Sequence, residues 1–184
     1  QSRTGARRAT VTVFQRQIDQ VVTYDGTLGY QNQDELRDRG VEVEGFTDLS
    51  RRFRLDGNVT YVKGRLRSPD GAGGNTETDE FFRRPPATGL LGVTYRADKP
   101  FTARVTAAYT SKRPDVFFDA DFSQVTSELD AYVIVNLYAE YKLLEARNLT
   151  LFGEIRNLTD TDFTEVSGYS TLGITPRVGV AWAY

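Results

Sequence analysis

The chain has 184 residues, enough for one domain, and its 23 basic and 25 acidic side chains nearly cancel, so its charge gives no reason to expect nucleic acid as a partner. Histidine and cysteine are absent, which excludes histidine-dependent catalytic triads, histidine or thiolate metal sites and disulfides from this chain. No stretch approaches the roughly 20 apolar residues of a membrane-spanning helix.

Alternation of apolar and polar residues recurs along the chain and predicts eight β-strands. In chain order they cover residues 8–22, 30–46, 52–66, 86–97, 100–112, 130–143, 147–157 and 174–184. Short turns follow the second, fourth and sixth strands, whereas long polar loops follow the third, fifth and seventh, at 67–85, 113–129 and 158–173. Short turns at one end and long loops at the other are typical of outer-membrane barrels. The sequence therefore predicts an all-β fold, a transmembrane antiparallel up-and-down β-barrel.

Each predicted strand has an apolar face and a charged face, because successive side chains of a strand point to opposite sides. The apolar face carries Phe53, Leu55, Val59, Tyr61, Leu91, Val93, Tyr95, Phe101, Val105, Tyr109, Val133, Val135, Leu137, Tyr141, Leu149, Leu151 and Ile155, and then Val178, Val180, Trp182 and Tyr184. The opposite face carries Glu42, Glu44, Arg54, Asp56, Arg104, Glu140, Glu154, Arg156 and Arg177. Aromatic residues concentrate near the short-turn end, as in the interfacial girdle of a membrane barrel. The apolar face is therefore predicted to contact outer-membrane lipid.

In hydrocarbon every backbone N–H and C=O group needs a hydrogen-bond partner, so lipid-facing strands cannot form an open sheet with bare edges. Either the eight strands close on themselves, or further strands lie outside this chain. The charged face has two corresponding interpretations. It lines the lumen of a larger barrel, or its charges pair across the filled interior of a small one.

The loop after the fifth strand offers a candidate ligand site. Three aspartates supply oxygen ligands of the kind that hard cations prefer, and three phenylalanines supply an apolar surface for a bulky ligand. These residues are Asp115, Phe117, Phe118, Asp119, Asp121 and Phe122. The alternative is a solvated acidic loop whose aromatic rings pack on neighbouring loops. Elsewhere the carboxylates are scattered, so we predict neither an enzyme, nor a cofactor, nor a dedicated metal site.

The last 28 residues, from NLTDTDF to VAWAY, resemble the C-terminal end of TonB-dependent outer-membrane receptors. The matching positions are Asn157, Leu158, Asp160, Phe163, Gly168, Tyr169, Gly173 and Tyr184. Phe163 stands where the family commonly has Tyr, and Ile174 where it frequently has Arg. Upstream, Asn32, Gly40 and Glu42 and the stretch RRPPATGLLGVTYR resemble the same family, so the resemblance covers nearly the whole chain.

This resemblance implies a barrel of about 22 strands around a plugged lumen, of which residues 1–184 would be the last eight strands, with the plug domain and earlier strands absent from this chain. It also implies that the charged face holds the plug. The alternating residues Val178, Val180, Trp182 and Tyr184 would be the signal for the barrel assembly machinery. The plug lies in the N-terminal part of such receptors, and the TonB complex would act there.

The function implied is active import of a scarce, large nutrient across the bacterial outer membrane, the cargo being a small-molecule metal chelate of the ferric siderophore or cobalamin class. One alternative is a self-contained eight-stranded outer-membrane barrel with a structural or adhesive role, which predicts hydrogen bonds between the first and last strands. A further alternative, a soluble lipocalin-like barrel, predicts that the apolar face points inward.

Overall fold

The computed structural model describes residues 5–25, 29–70, 72–79, 81–98, 100–144 and 149–182, with backbone alone at 23–25, 31–34 and 144. Its strands are β1 (Arg7–Asp25), β2 (Gly29–Asp48), β3 (Phe53–Pro69), β4 (Asn75–Thr78), β5 (Ala87–Arg96), β6 (Phe101–Thr110), β7 (Arg113–Phe118), β8 (Gln124–Leu129), β9 (Tyr132–Leu144), β10 (Leu149–Arg156) and β11 (Thr175–Trp182). Among these residues, no helix is long and apolar enough to cross a membrane.

Eight of the strands form one antiparallel meander in the order β1, β2, β3, β5, β6, β9, β10, β11. These are the eight predicted strands, and the all-β antiparallel fold is confirmed. In the described residues β1 pairs only with β2 and β11 only with β10, so the sheet is open at both ends. The hydrogen bonds between first and last strands that a small closed barrel needs are therefore not formed in the described part of the chain.

Two of the predicted long loops contain strands of their own. β4 extends the β2–β3 hairpin by pairing with the end of β3, from Leu66 opposite Thr78 to Pro69 opposite Asn75. β7 and β8 form a separate hairpin within the predicted loop at 113–129. These strands are only 4 to 6 residues long, which is too short for alternation along the sequence to separate strand from loop.

The register confirms the apolar face. Residues directly opposite each other in a ladder share a face, and Leu55, Val93, Val105, Leu137 and Ile155 stand in one row across five strands. At the short-turn end the predicted aromatic residues meet, with the ring centroids of Phe53 and Tyr95 5.0 Å apart.

The apolar face is also the more exposed one. Val13 is 80% and Val178 75% exposed, whereas in the described part of the chain the only buried hydrophobic residues are Leu36 and Leu129. Along β3, Phe53, Val59 and Tyr61 of the apolar face are exposed, whereas Arg54, Asp56 and Thr60 of the other face are partly buried. An apolar surface of this extent needs an apolar neighbour, and an inward apolar face, as in a lipocalin, does not fit.

Candidate functional site: the outer loops and the charged face

The charged face carries a row of polar side chains that crosses the sheet. From β2 to β11 the residues standing opposite one another are Asp48, Arg54, Thr94, Arg104, Tyr138, Glu154 and Arg177. Arg104 binds Asp56 with two hydrogen bonds of 2.6 Å and donates a third, of 2.7 Å, to Thr94. A guanidinium held by both carboxylate oxygens has a fixed orientation.

Further pairs lie on both sides of this centre. Arg54 Nε lies 2.7 Å from Asp48, and Glu154 accepts hydrogen bonds from Arg156 at 3.0 Å and from Arg177 at 2.5 Å. The register places all nine charged residues of the predicted set on this face. That the face lines a lumen stays a prediction, as does its contact with a plug.

Asp115 of the predicted ligand loop has a different role from the one expected. Its side chain is fully buried, and its carboxylate accepts hydrogen bonds from Arg83 Nε at 2.5 Å, from the Ser167 amide at 2.6 Å and from the Val116 amide at 2.8 Å. Burial alone would raise the pKa of Asp115, but these donors hold that pKa well below its usual range. Asp115 therefore joins three outer segments and does not fit a role as a cation ligand.

Arg113 reinforces the same junction. It is 4% exposed, and its Nη2 atom donates to the carbonyls of Thr164 at 3.0 Å and of Glu165 at 3.4 Å. The hydroxyls of Ser127 and Ser167 lie 2.9 Å apart. The segment 158–173 is therefore docked onto the β7–β8 hairpin by side chains of both. We call Arg83, Arg113, Asp115, Ser127 and Ser167 the loop junction. Apart from Asp115, none of these residues belongs to a sequence pattern that predicts the loop junction.

The other predicted loop residues lie at the hairpin tip. Phe118 is 63% and Phe122 86% exposed, while Phe117 lies on the face of the hairpin that also carries Asp115. Asp119 and Asp121 accept hydrogen bonds from the amides of residues 120 and 123, so they stabilise the turn. No group of three acidic residues that could hold a metal ion occurs in the described ranges. The tip therefore presents aromatic surface, and ligand binding at the tip stays a prediction.

A cleft of about 720 Å³ lies between the outer end of β2 and β3, the segment before β5 and the β7–β8 hairpin. Its lining includes Arg83, Arg84, Lys112, Arg113 and Asp38. The Asp38 carboxylate accepts hydrogen bonds from Arg16 and, at 3.3 Å, from Arg84, and these bonds lower the pKa of Asp38. The cleft is large enough for a bulky ligand, and several of the charged side chains that line it, such as Asp38 and Arg84, are already paired.

The motif residues of 157–173 build the turn between β10 and the docked segment. Asn157 is buried with a φ of +51°, its amide donates to Asn136 at 3.0 Å, and its side-chain oxygen accepts from the Thr161 amide at 2.8 Å. Asp160 accepts from the Ile174 amide at 2.9 Å, and a Cβ on Gly173 would lie 2.5 Å from the same Asp160 oxygen. A side chain at 173 would therefore displace the Asp160 carboxylate from its hydrogen bond with the Ile174 amide.

The remaining motif residues lie on the surface of the docked segment. Tyr169 is 73% and Leu158 38% exposed, and Gly168 has a φ of +84°. The Phe163 ring packs against Tyr132 with centroids 4.6 Å apart. Val178, Val180 and Trp182 lie on the apolar face and are 75%, 62% and 68% exposed. Tyr184, the last residue of the predicted assembly signal, lies outside the described residues.

Open apolar-faced meanders with short turns at one end and long loops at the other define a class, the wall of an outer-membrane β-barrel. The sequence profile of the family described as "TonB dependent receptor-like, beta-barrel" matches residues 2–158. The chain belongs to this family, whose members reside in the outer membrane of Gram-negative bacteria. No protein of curated function matches the chain significantly.

Solved structures show the same fold. The ferripyoverdine receptor of the Pseudomonas aeruginosa outer membrane is 13% identical and superposes with a TM-score of 0.71 over 96% of this chain and 25% of its own. The ferric-catecholate import receptor Fiu of Escherichia coli K12 is 17% identical, with a TM-score of 0.67 over 95% of this chain and 25% of its own. The copper transporter OprC is 16% identical, with a TM-score of 0.71 over 97% and 29%. The chain thus spans about a quarter of the length of these structures.

Proposed function

We propose that this chain is the C-terminal part of the barrel of an energy-coupled receptor that imports a scarce, large nutrient across the outer membrane. The observation that carries the proposal is an eight-stranded sheet with an exposed apolar face and an unpaired strand at each end of its described part. Bare edges are not tolerated in hydrocarbon, so further strands are needed to close the barrel. Membership of the TonB-dependent receptor family supports the same conclusion.

Within that receptor the chain supplies barrel wall, outer loops and the C-terminal assembly signal. Plug and TonB contacts belong to the N-terminal part of the whole protein. The paired charges around Arg104 offer a polar inner surface on which a plug can rest and from which it can move, because each hydrogen bond has a comparable alternative in water.

The cargo we propose is a metal chelate of the ferric siderophore type, with cobalamin as the second class. Two similar structures are named for ferripyoverdine and ferric catecholate, and one for copper. In this chain the exposed rings of Phe118 and Phe122 and the cleft at Arg83 and Arg84 offer the apolar and charged surfaces that a bulky chelate needs.

Uptake of radiolabelled iron tests the proposal. Cells producing the full-length protein are supplied with one labelled ferric siderophore at a time, or with labelled cobalamin, with and without an uncoupler of the inner-membrane proton gradient. We expect uncoupler-sensitive uptake of at least one compound. The proposal is contradicted if the uncoupler leaves the uptake rate of every compound unchanged, or if the protein is absent from the outer-membrane fraction.

The hairpin tip provides a matched pair of variants for this assay. Replacing Phe118 and Phe122 by Ser removes two exposed rings from the tip. We expect the apparent affinity for cargo to fall about 30-fold, since each ring that the cargo covers contributes about 1 kcal/mol to ligand binding. Leu49→Ser is the control, because Leu49 is 63% exposed in a short turn at the other end of the sheet. Equal effects of the two changes would exclude the tip from the cargo site.

A further inference from the structure

The outward face of the sheet changes character at one level across three neighbouring strands. Val13, Val41 and Tyr61 stand opposite one another as the last apolar row of β1, β2 and β3. The next outward row is Gln15, Arg39 and Lys63. Pairing between β3 and β5 ends at the same level, where Tyr61 stands opposite Ala87. Beyond Tyr61, the first three strands therefore continue without β5.

Basic residues follow on this outward face. The residues Arg37, Arg39, Lys63, Arg65 and Arg67, which we call the basic band, alternate along β2 and β3 with inward positions such as Leu36 and Asp38. All five are exposed, whereas Leu36 and Asp38 are buried. The basic band is thus continuous with the apolar face and lies just beyond its outer margin.

Acidic residues neutralise only part of the basic band. Arg37 pairs with Glu35 at 2.6 Å, and Arg65 lies 3.5 Å from Glu77. In the described part of the chain, Arg39, Lys63 and Arg67 have no ion-pair partner. A cleft of about 490 Å³ lined by these side chains lies over the same surface. The band therefore retains a positive charge that faces away from the barrel interior.

The height of the band identifies the partner. Strands advance about 3.4 Å per residue, so Lys63 lies about 7 Å along β3 from Tyr61. Aromatic residues such as Tyr61 mark the boundary between hydrocarbon and headgroups, and headgroups occupy roughly the next 5–8 Å. We propose, resting on the membrane location in the proposed function, that Arg39 and Lys63 of the basic band bind the phosphate groups of outer-leaflet lipid headgroups.

A lipid titration tests this inference. The full-length protein in neutral-detergent micelles is titrated with dioleoyl phosphatidic acid and with dioleoylglycerol, which has the same acyl chains and no phosphate. The double variant Arg39→Ala, Lys63→Ala is compared with Arg7→Ala, Arg51→Ala, two exposed arginines at the short-turn end without an ion-pair partner in the described residues.

We expect the wild-type protein to prefer phosphatidic acid, and the double variant in the band to bind it about tenfold to 30-fold more weakly, since each basic residue near anionic headgroups contributes about fivefold. The control should stay within about twofold, and added salt should reduce the preference. Equal weakening in the control, no preference for the phosphate-bearing lipid, or equally tight binding of inorganic phosphate would overturn the inference. If the wild-type protein takes up cargo and the Arg39→Ala, Lys63→Ala variant binds phosphatidic acid normally, this inference alone fails. If the protein is absent from the outer membrane, the proposed function is refuted as well.

Discussion

At the scale of single residues, the buried carboxylate of Asp115 organises the outer end of the molecule. It is separated by 32 residues from Arg83 and by 52 from Ser167, so its partners are invisible to any local pattern. An aspartate in a polar loop is ordinarily solvated, and only the folded arrangement shows that three donors surround this one. Ligand binding by this loop stays a prediction, whereas the buried carboxylate of Asp115 links three loop segments.

Replacing Asp115 by Asn should loosen the segment 158–173. An amide cannot accept all the hydrogen bonds that the carboxylate accepts, and leaving a buried donor without a partner costs about 1–3 kcal/mol. Hydrogen exchange of the Ser167 amide measures the effect, and we expect its protection to fall about tenfold to 100-fold. Asp119→Asn, an exposed turn residue in the same hairpin, is the control. Unchanged protection of Ser167 would contradict the role given to Asp115.

The pH dependence follows from the lowered pKa of Asp115. A carboxyl group whose pKa is lower in the folded loops stabilises them fully above its unfolded pKa of about 4, and this contribution is lost as the pH falls through the folded value. The chain has no histidine to add a transition near neutrality. The stabilisation that Asp115 gives to the loops should therefore be constant between about pH 5 and 7. Hydrogen exchange of the Ser167 amide in the wild type and in Asp115→Asn measures this: the difference in protection between the two should not change over that range.

At the scale of elements, strand parity separates the environments of the two faces. Val105 on β6 faces the apolar side with Val93 and Leu137, whereas Thr102 on the same strand stands opposite Glu140 on the charged side. Alternation alone predicted this division, because parity depends only on sequence once a strand is assigned. The pattern does not predict the short hairpin of β7 and β8, because the pairing of these strands depends on their turn and on contacts with other loops.

An arginine introduced on each face of β6 should have opposite consequences. Val105→Arg places a charge on the lipid side, and we expect a loss of about 2–4 kcal/mol in folding free energy in lipid vesicles. Thr102→Arg places the same group beside Glu140 and should change stability by less than about 1 kcal/mol. Urea titrations of the full-length protein, followed by the heat-dependent shift of the folded band on gels, compare the two. Equal losses would contradict the assignment of the faces.

At the scale of the whole molecule, the described sheet is a wall with two free edges. β1 exposes one row of backbone groups and β11 the other, and the apolar belt runs across all the strands between them. Such a surface is unstable in water and incomplete in lipid, so the wall needs both a bilayer and neighbouring strands. The ion pairs on the charged face fix the orientation of the side chains that form them and add no hydrophobic core.

The last strand tests how this wall is assembled. Trp182→Asp changes the apolar face near the C-terminal end, and we expect the amount of heat-modifiable protein in the outer membrane to fall at least about tenfold, because the predicted assembly signal loses an aromatic side chain and gains a charge. The separate variant Trp182→Phe keeps an aromatic ring and should assemble normally. Ala181→Asp alters the neighbouring residue on the other face and serves as the control. Normal assembly of Trp182→Asp would contradict the predicted signal.

The sequence by itself determined the eight strands of the main sheet, their two faces and the family, because strand alternation and turn motifs are local patterns that do not depend on what packs against them. Only the tertiary structure decided that Asp115 and Arg113 join loop segments 52 and 51 residues apart, that β7 and β8 pair, and that β1 and β11 are edges of the described sheet. These features depend on contacts between distant parts of the chain, and a carboxylate, a guanidinium or an edge strand looks the same in sequence whether it is solvated or buried.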